Sequence, residues 1–341
     1  MPRAAVAAPH ATHKFKLLLK REFWEHKGGF FWAPLIAGGV FLLLTLMGMI
    51  TTEIVGRRAA AQHVDINGAH VQIGGLNLSM LTQHLKPEDI RQLGGAIDMS
   101  LLMAGGIPFL VLGFVVFFYA LGSLYDDRKD RSVLFWKSMP LSDTQTVLSK
   151  VASATLVAPA LAAAAGLITM VGLMLLLTLF VLLHGGNPMT LLWGPSSPLS
   201  VVATFIAGIP VYAAWALPTV GWLMLCSAWA RSKPFLWAVV IPVFVGVFIS
   251  WFDLLQFFNL DTAWYWKNIF LRSIGSAFPA TWLSVSDLAP MHVNGPEDIA
   301  GFSSLRTMYS LFGTAQLWVG VLAGAAMIAA AIRLRRWRDE G

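Results

Sequence analysis

The residues of this chain that could do chemistry are few, and their spacing argues against most of it. Five of its eight histidines, His63, His70, His84, His184 and His292, fall in loops between long apolar blocks, and imidazole is a common metal ligand. Their spacing matches no ligand motif, so solvated loop histidines are the reading, with metal handling as the alternative. Cys226 is the only cysteine and lies inside an apolar block, which leaves no disulfide framework and no CxxC site. The chain has no GxxxxGK[ST] loop for phosphates, no HExxH and no GxSxG, and no apolar block carries paired carboxylates. No catalytic site is expected, and no cofactor or metal is expected in this chain. The fourteen methionines scatter through the apolar blocks and their flanks, as packing residues do.

One segment is dense in residues suited to recognition rather than reaction. From Tyr125 to Lys150 it carries Asp126, Asp127, Arg128, Asp130 and Arg131, then Val133, Phe135 and Trp136, then Pro140 and a helix start at Ser142. Apolar side chains flanked by charges are what a docking surface needs, aromatic anchors for binding energy and charges for register. The alternative is an interfacial helix lying on lipid headgroups.

These residues have to be positioned by very apolar elements. Hydrophobic types make up 57% of the 341 residues and DEKR only 12%, against about 45–50% and about 25% in ordinary soluble domains. Six charge-free segments are long enough to cross a bilayer: 30–50, 99–122, 151–183, 199–230, 235–252 and 311–332. The third and fourth are read as one long helix each, with Pro159, Pro210 and Pro218 as kink points. The fold class that follows is an all-α polytopic membrane protein of six transmembrane helices with small helical extracytoplasmic loops.

Lysine and arginine divide 17 to 7 in favour of the side bearing both termini, while acidic residues divide 8 and 10. That asymmetry makes both termini cytoplasmic in a cell inner membrane. Residues 1–29 then form a cytoplasmic arm and 30–341 a single transmembrane domain, with extracytoplasmic loops 51–98 and 253–310 and a cytoplasmic loop 123–150. The arm places Phe15, Leu18, Leu19 and Phe23 at helical spacing, with Lys16, Lys20, Glu22 and Lys27 elsewhere, which suits a surface helix or an ordinary basic flank. The run Lys86-Pro87-Glu88-Asp89 reads as a helix start, and Trp264, Tyr265, Trp266 and Trp282 as interfacial aromatics. The pair Gly320 and Gly324, with Gly313 and Ala331 nearly in line and Ile328 interrupting, reads as a small-residue stripe for internal packing. Thr169, Thr178, Thr204, Tyr212 and Ser250 are candidates for a weakly polar path, and no substrate residue is assigned.

The loop 123–150 resembles the segment after the second span in the membrane subunits of the type 2 ATP-binding-cassette (ABC) exporter family. Asp127 matches that family's acid, Trp136 a leucine, Pro140-Leu141-Ser142 its Pro-Val-Ser, and Lys150 the lysine opening the third span, while Arg131-Ser132 stands where the family has Gly-Thr. The six spans, the terminal helix and the enlarged first and third outward loops are similar to that family over nearly the whole chain. The resemblance implies a permease subunit that pairs with a second copy, identical or paralogous. Two separate ATP-binding subunits, which hold the ATP and Mg, would dock beneath a coupling loop that includes Asp126, Asp127, Arg128, Asp130, Arg131, Val133, Phe135, Trp136 and Pro140. Charge-free spans disfavour ion coupling and favour an amphipathic, lipidic or peptide-like cargo, and no nucleic-acid partner is expected. The competing readings are a membrane sensor or assembly factor that recruits a cytosolic partner, and an ion-coupled secondary carrier.

Overall fold

The computed structural model describes residues 11–61, 64–66, 69–71, 78, 86–130, 142–255, 261–282 and 305–337. Six helices are long and apolar enough to cross a membrane: a first span Gly28–Arg58, a second Pro87–Lys129, a third Asp143–Leu183, a fourth Pro198–Trp229, a fifth Leu236–Leu254 and a sixth Ala315–Trp337. All six correspond to the apolar segments, and the first three run well beyond them. A short antiparallel hairpin pairs Val64–Ile66 with Ala69–Val71, setting Asp65 opposite His70.

The start signals in the sequence have visible causes. The second span opens at Pro87, whose missing N–H is no loss in a first turn, and the backbone N–H of Lys86 donates to Asp89 at 2.9 Å. The third opens with a reciprocal cap in which the Gln145 N–H donates to Ser142 Oγ at 3.2 Å. The sixth begins at Ala315 rather than 311, because Thr314 is extended after a tight turn at Leu311–Gly313. Gly313 is therefore outside the helix and exposed, off the stripe on which the sequence reading placed it.

Prolines shape three of the spans in one way. In the first, third and fifth, a five-residue π-helical turn is followed by one residue and then a proline: Gly28–Trp32 before Pro34, Ser153–Val157 before Pro159, Leu236–Val240 before Pro242. Proline lacks an N–H and crowds the carbonyl four residues back. The ladder relaxes by widening, so that Ala33 donates to Gly28, Ala158 to Ser153 and Ile241 to Leu236, each five residues back.

The fourth span is the axis of the bundle. It packs along the sixth and against the second, the π-helical turn of the third, and an inserted segment, Tyr265–Gly275. The core joins Leu112, Val116 and Ala120 of the second span, Ala154, Ala158 and Ala162 of the third, and Ala216, Val220 and Leu223 of the fourth. In hydrocarbon, close packing has to replace the hydrophobic drive, and small residues permit it. A Cβ on Gly221 would come within 2.6 Å of Gly324 O, and one on Gly324 within 2.6 Å of Leu217 O. The Gly320–Gly324 stripe is thus spent on the fourth span, inside the chain.

Large apolar side chains are exposed on the outside of the bundle, among them Leu43, Leu44 and Met47 of the first span, Phe244, Phe248 and Trp251 of the fifth, and Val319 and Leu322 of the sixth. In water such a surface would aggregate, and in a bilayer it is the matching one. The N-terminal helix Ala11–Glu25 and the end of the sixth span meet at one end of the bundle, called here the terminal face; the opposite end is the distal face.

Candidate functional site

Five ionised side chains from four elements converge at the terminal face. Lys150, at the start of the third turn of the third span, places Nζ 3.2 Å from Glu22 Oε1 and 3.6 Å from Asp127 Oδ1. Arg335, near the end of the sixth span, sets Nη1 3.1 Å from Asp127 Oδ2 and Nε 3.3 Å from Asp143 Oδ1. Tyr119 of the second span donates to Glu22 Oε2 at 2.7 Å. Glu22 and Lys150 are 1% and 2% exposed, so neither charge is solvated and each depends on the other.

Neighbouring contacts fasten the end of the second span to the fourth. The Leu124 and Tyr125 N–H groups donate to Ser227 Oγ at 3.1 and 2.9 Å, and Arg128 Nη2 reaches the Ser227 and Ala230 carbonyls. Of the nine residues expected in a coupling loop, four are described. Asp127 is buried in the ionic cluster and Arg128 is turned onto the fourth span, so both are anchors, whereas Asp126 and Asp130 are exposed. Arg131, Val133, Phe135, Trp136 and Pro140 lie outside the described residues.

Glu22 was expected off the apolar face of the terminal helix. The structure puts it on that face, one turn beyond the buried Leu18. The position i, i+4 from a core leucine was the available signal, and a carboxylate there needs a buried cation.

A second ionisable group lies deep in the bundle. The inserted segment was read as part of a loop with interfacial aromatics, but it packs against the fourth and fifth spans and brings Arg272 inside. The guanidinium stacks on Trp215, 3.6 Å from the ring centroid. Its Nη1 donates to Ser276 Oγ at 3.1 Å and to Trp215 O at 3.4 Å, and Nη2 reaches Gln316 O at 3.5 Å. Gly320 makes the room, since a Cβ there would lie 2.0 Å from Nη2. Two further bonds hold the segment, Thr219 Oγ1 to Arg272 O at 3.1 Å and Tyr212 OH to Ala277 O at 2.8 Å. The spans are charge-free in sequence, yet the bundle interior is not. An 11-residue stretch with charges is too short to register as a span, and its guanidinium is solvated by carbonyls and an indole from distant positions.

The polar residues considered for a path are used locally. Thr169 donates to Ala165 O and Thr204 to Ser200 O, Trp193 Nε1 donates to Thr178, and Ser250 accepts from Trp266 Nε1.

The distal face holds a third group. His184 caps the third span with Nδ1 2.8 Å from Phe180 O and Nε2 2.8 Å from Glu53 Oε2, and its side chain is 12% exposed. It is a paired residue rather than the solvated one expected. Both ring nitrogens face acceptors, and only the imidazolium can donate from both. The Phe180 carbonyl first, then Glu53, therefore raise the His184 pKa above its usual value. Among the described residues, no three His, Cys, Asp or Glu side chains are grouped so as to hold a metal ion; His63, His84 and His292 lie outside them.

The terminal-face cluster ties the N-terminal helix, the end of the second span, the start of the third and the end of the sixth into one joint. No protein family, curated protein or solved structure matches the chain.

Proposed function

We propose that the chain is the permease subunit of an ATP-driven exporter resembling the type 2 ABC family, with the terminal face in the cytoplasm of a cell inner membrane. The observation that carries this reading is the Asp127–Lys150 ion pair. These are the two residues that match the family's acid and lysine, and they close the base of the segment 131–141, on which the docking aromatics Phe135 and Trp136 lie. A push on that segment would reach the second and third spans directly, and the sixth span and N-terminal helix through Arg335 and Glu22. The division of Lys and Arg supports the orientation.

The energy would come from two ATP-hydrolysing subunits that carry the ATP and Mg, and a second permease copy, identical or paralogous, would complete the pathway. An amphipathic, lipidic or peptide-like cargo suits spans without ion-binding charges, and Arg272, packed on carbonyls and Trp215, offers a fixed positive potential rather than a site that must bind and release an ion.

The test is gentle extraction of the tagged chain and identification of what copurifies, with Phe135 and Trp136 changed to alanine in parallel. An ATP-binding subunit should come down with the native chain and be lost with the double substitution. Recovery of no protein with a phosphate-binding loop would remove the energy source and the proposal with it.

A further inference from the structure

The first and third spans run in the same direction and touch tightly in their middle. A Cβ on Gly38 would meet Thr169 Oγ1 at 2.0 Å, and one on Gly172 would meet Leu42 Cδ1 at 2.5 Å. Toward the distal face the two helices no longer fill the space between them, and a cleft of about 840 Å³ opens. Its walls are apolar, with Leu46, Ile50, Leu176 and Leu179 among them, and its rim carries Glu53, Arg57 and His184.

The rim has an unusual charge arrangement. Glu53 spends one carboxylate oxygen on Arg57 Nε at 2.5 Å and the other on His184 Nε2 at 2.8 Å. Its charge is thereby satisfied, while Arg57, 80% exposed, uses only Nε and keeps both terminal nitrogens without a partner among the described residues. The Arg57 guanidinium therefore offers a planar pair of N–H donors at the rim, the geometry that takes a phosphate in a bidentate grip.

Depth agrees with chemistry. From Leu42, where the spans touch, to Glu53 the helix rises about 16 Å, close to the roughly 15 Å of hydrocarbon in one leaflet of a bilayer. An acyl chain standing in the cleft would end its apolar run at the level of Glu53 and the Arg57 guanidinium bonded to it.

We propose that this cleft holds a phospholipid of the surrounding bilayer with an anionic headgroup, its acyl chain between the first and third spans and its phosphate on Arg57. The site stands on the membrane-spanning architecture alone and is independent of what the chain transports. Because the third span starts in the terminal-face joint and the first follows directly on the N-terminal helix bound there, a lipid wedged between their distal ends would set how far they splay.

The experiment uses the full chain reconstituted in nanodiscs of phosphatidylcholine containing a minor fraction of phosphatidylglycerol, released into the gas phase for native mass spectrometry. The native protein should retain phosphatidylglycerol over phosphatidylcholine about ten-fold beyond the nanodisc ratio. Arg57→Gln should abolish that preference while retaining neutral lipid, Arg57→Lys should keep part of it, and Ile50→Trp, which fills the cleft, should lose both lipids. An unfolding midpoint recorded for each variant in the same nanodiscs separates loss of lipid from loss of fold. Unchanged preference in Arg57→Gln, or native retention in Ile50→Trp with an unchanged midpoint, would overturn the proposal.

Discussion

Removing the positive charge of Lys150 should be the most costly single change at the terminal face. In Lys150→Met the apolar stem is kept, but Glu22, 1% exposed, loses the cation 3.2 Å away, and Asp127 loses the same cation at 3.6 Å. Among the five charges the balance falls from −1 to −2, with Glu22 itself out of reach of water. Breaking a buried pair from one side costs about 3–5 kcal/mol. The partner change Glu22→Gln, which leaves Lys150 with Asp127, should cost less, and the double change should cost far less than the two singles together. Reversible unfolding in mixed micelles, run as a double-mutant cycle, measures this, with a coupling of at least about 2 kcal/mol expected. Additivity within about 0.5 kcal/mol, the behaviour of independent sites, would refute the claim that the two charges depend on each other.

Gly320→Ala places a methyl group against Arg272 and should destabilise by about 1–3 kcal/mol. In an Arg272→Ala background the same change should cost almost nothing, and an equal cost in both backgrounds would show that the guanidinium is not what the glycine accommodates. The folded pKa of His184 lies above its unfolded value, so its stabilisation is complete below about pH 6.5 and is lost as pH rises through the folded pKa. The Glu53 carboxylate and the Arg57 guanidinium are the charged groups facing His184, and the fall in stability above that pH should vanish in His184→Gln and shrink in Glu53→Gln, read from unfolding midpoints across pH. Ser142→Ala removes the cap of the third span and should cost about 1 kcal/mol, with faster amide exchange confined to the Asp143–Ala152 turns.

What the sequence made legible was whatever is written locally. Long uncharged runs marked the six spans, Lys86 to Asp89 and Ser142 to Gln145 marked two helix starts, and Gly320 with Gly324 marked a close internal contact. What escaped was written across distance. Glu22 and Lys150 are 128 positions apart, and nothing near either names the other. Arg272 lies in a stretch too short and too mixed to read as buried, and it is tolerable inside only because Trp215, Ser276 and Gln316 supply its partners. His184 looked solvated because Glu53, its partner, sits 131 positions earlier on a helix that outruns its own apolar segment. At the candidate site, composition singled out a stretch of chain but gave no side-chain direction. Asp127 and Arg128 were grouped with exposed neighbours, and side-chain direction in a short helical turn is fixed by what it packs on.

The three π-helical turns change how the spans carrying them should be read. Each holds one residue more than an α-helix would use, so the residues before and after it follow two angular phases about 100° apart along a shared axis. A stripe traced through Ser153–Val157 at a constant step of 3.6 would leave its face partway along the span. Deleting one residue from such a turn would not simply shorten the helix. It would let the ladder close as α and rotate one half against the other, swapping core-facing positions for lipid-facing ones over the rest of the span. Insertions and deletions in this chain are thus rotations as well as changes of length, and the first, third and fifth spans are where that distinction matters.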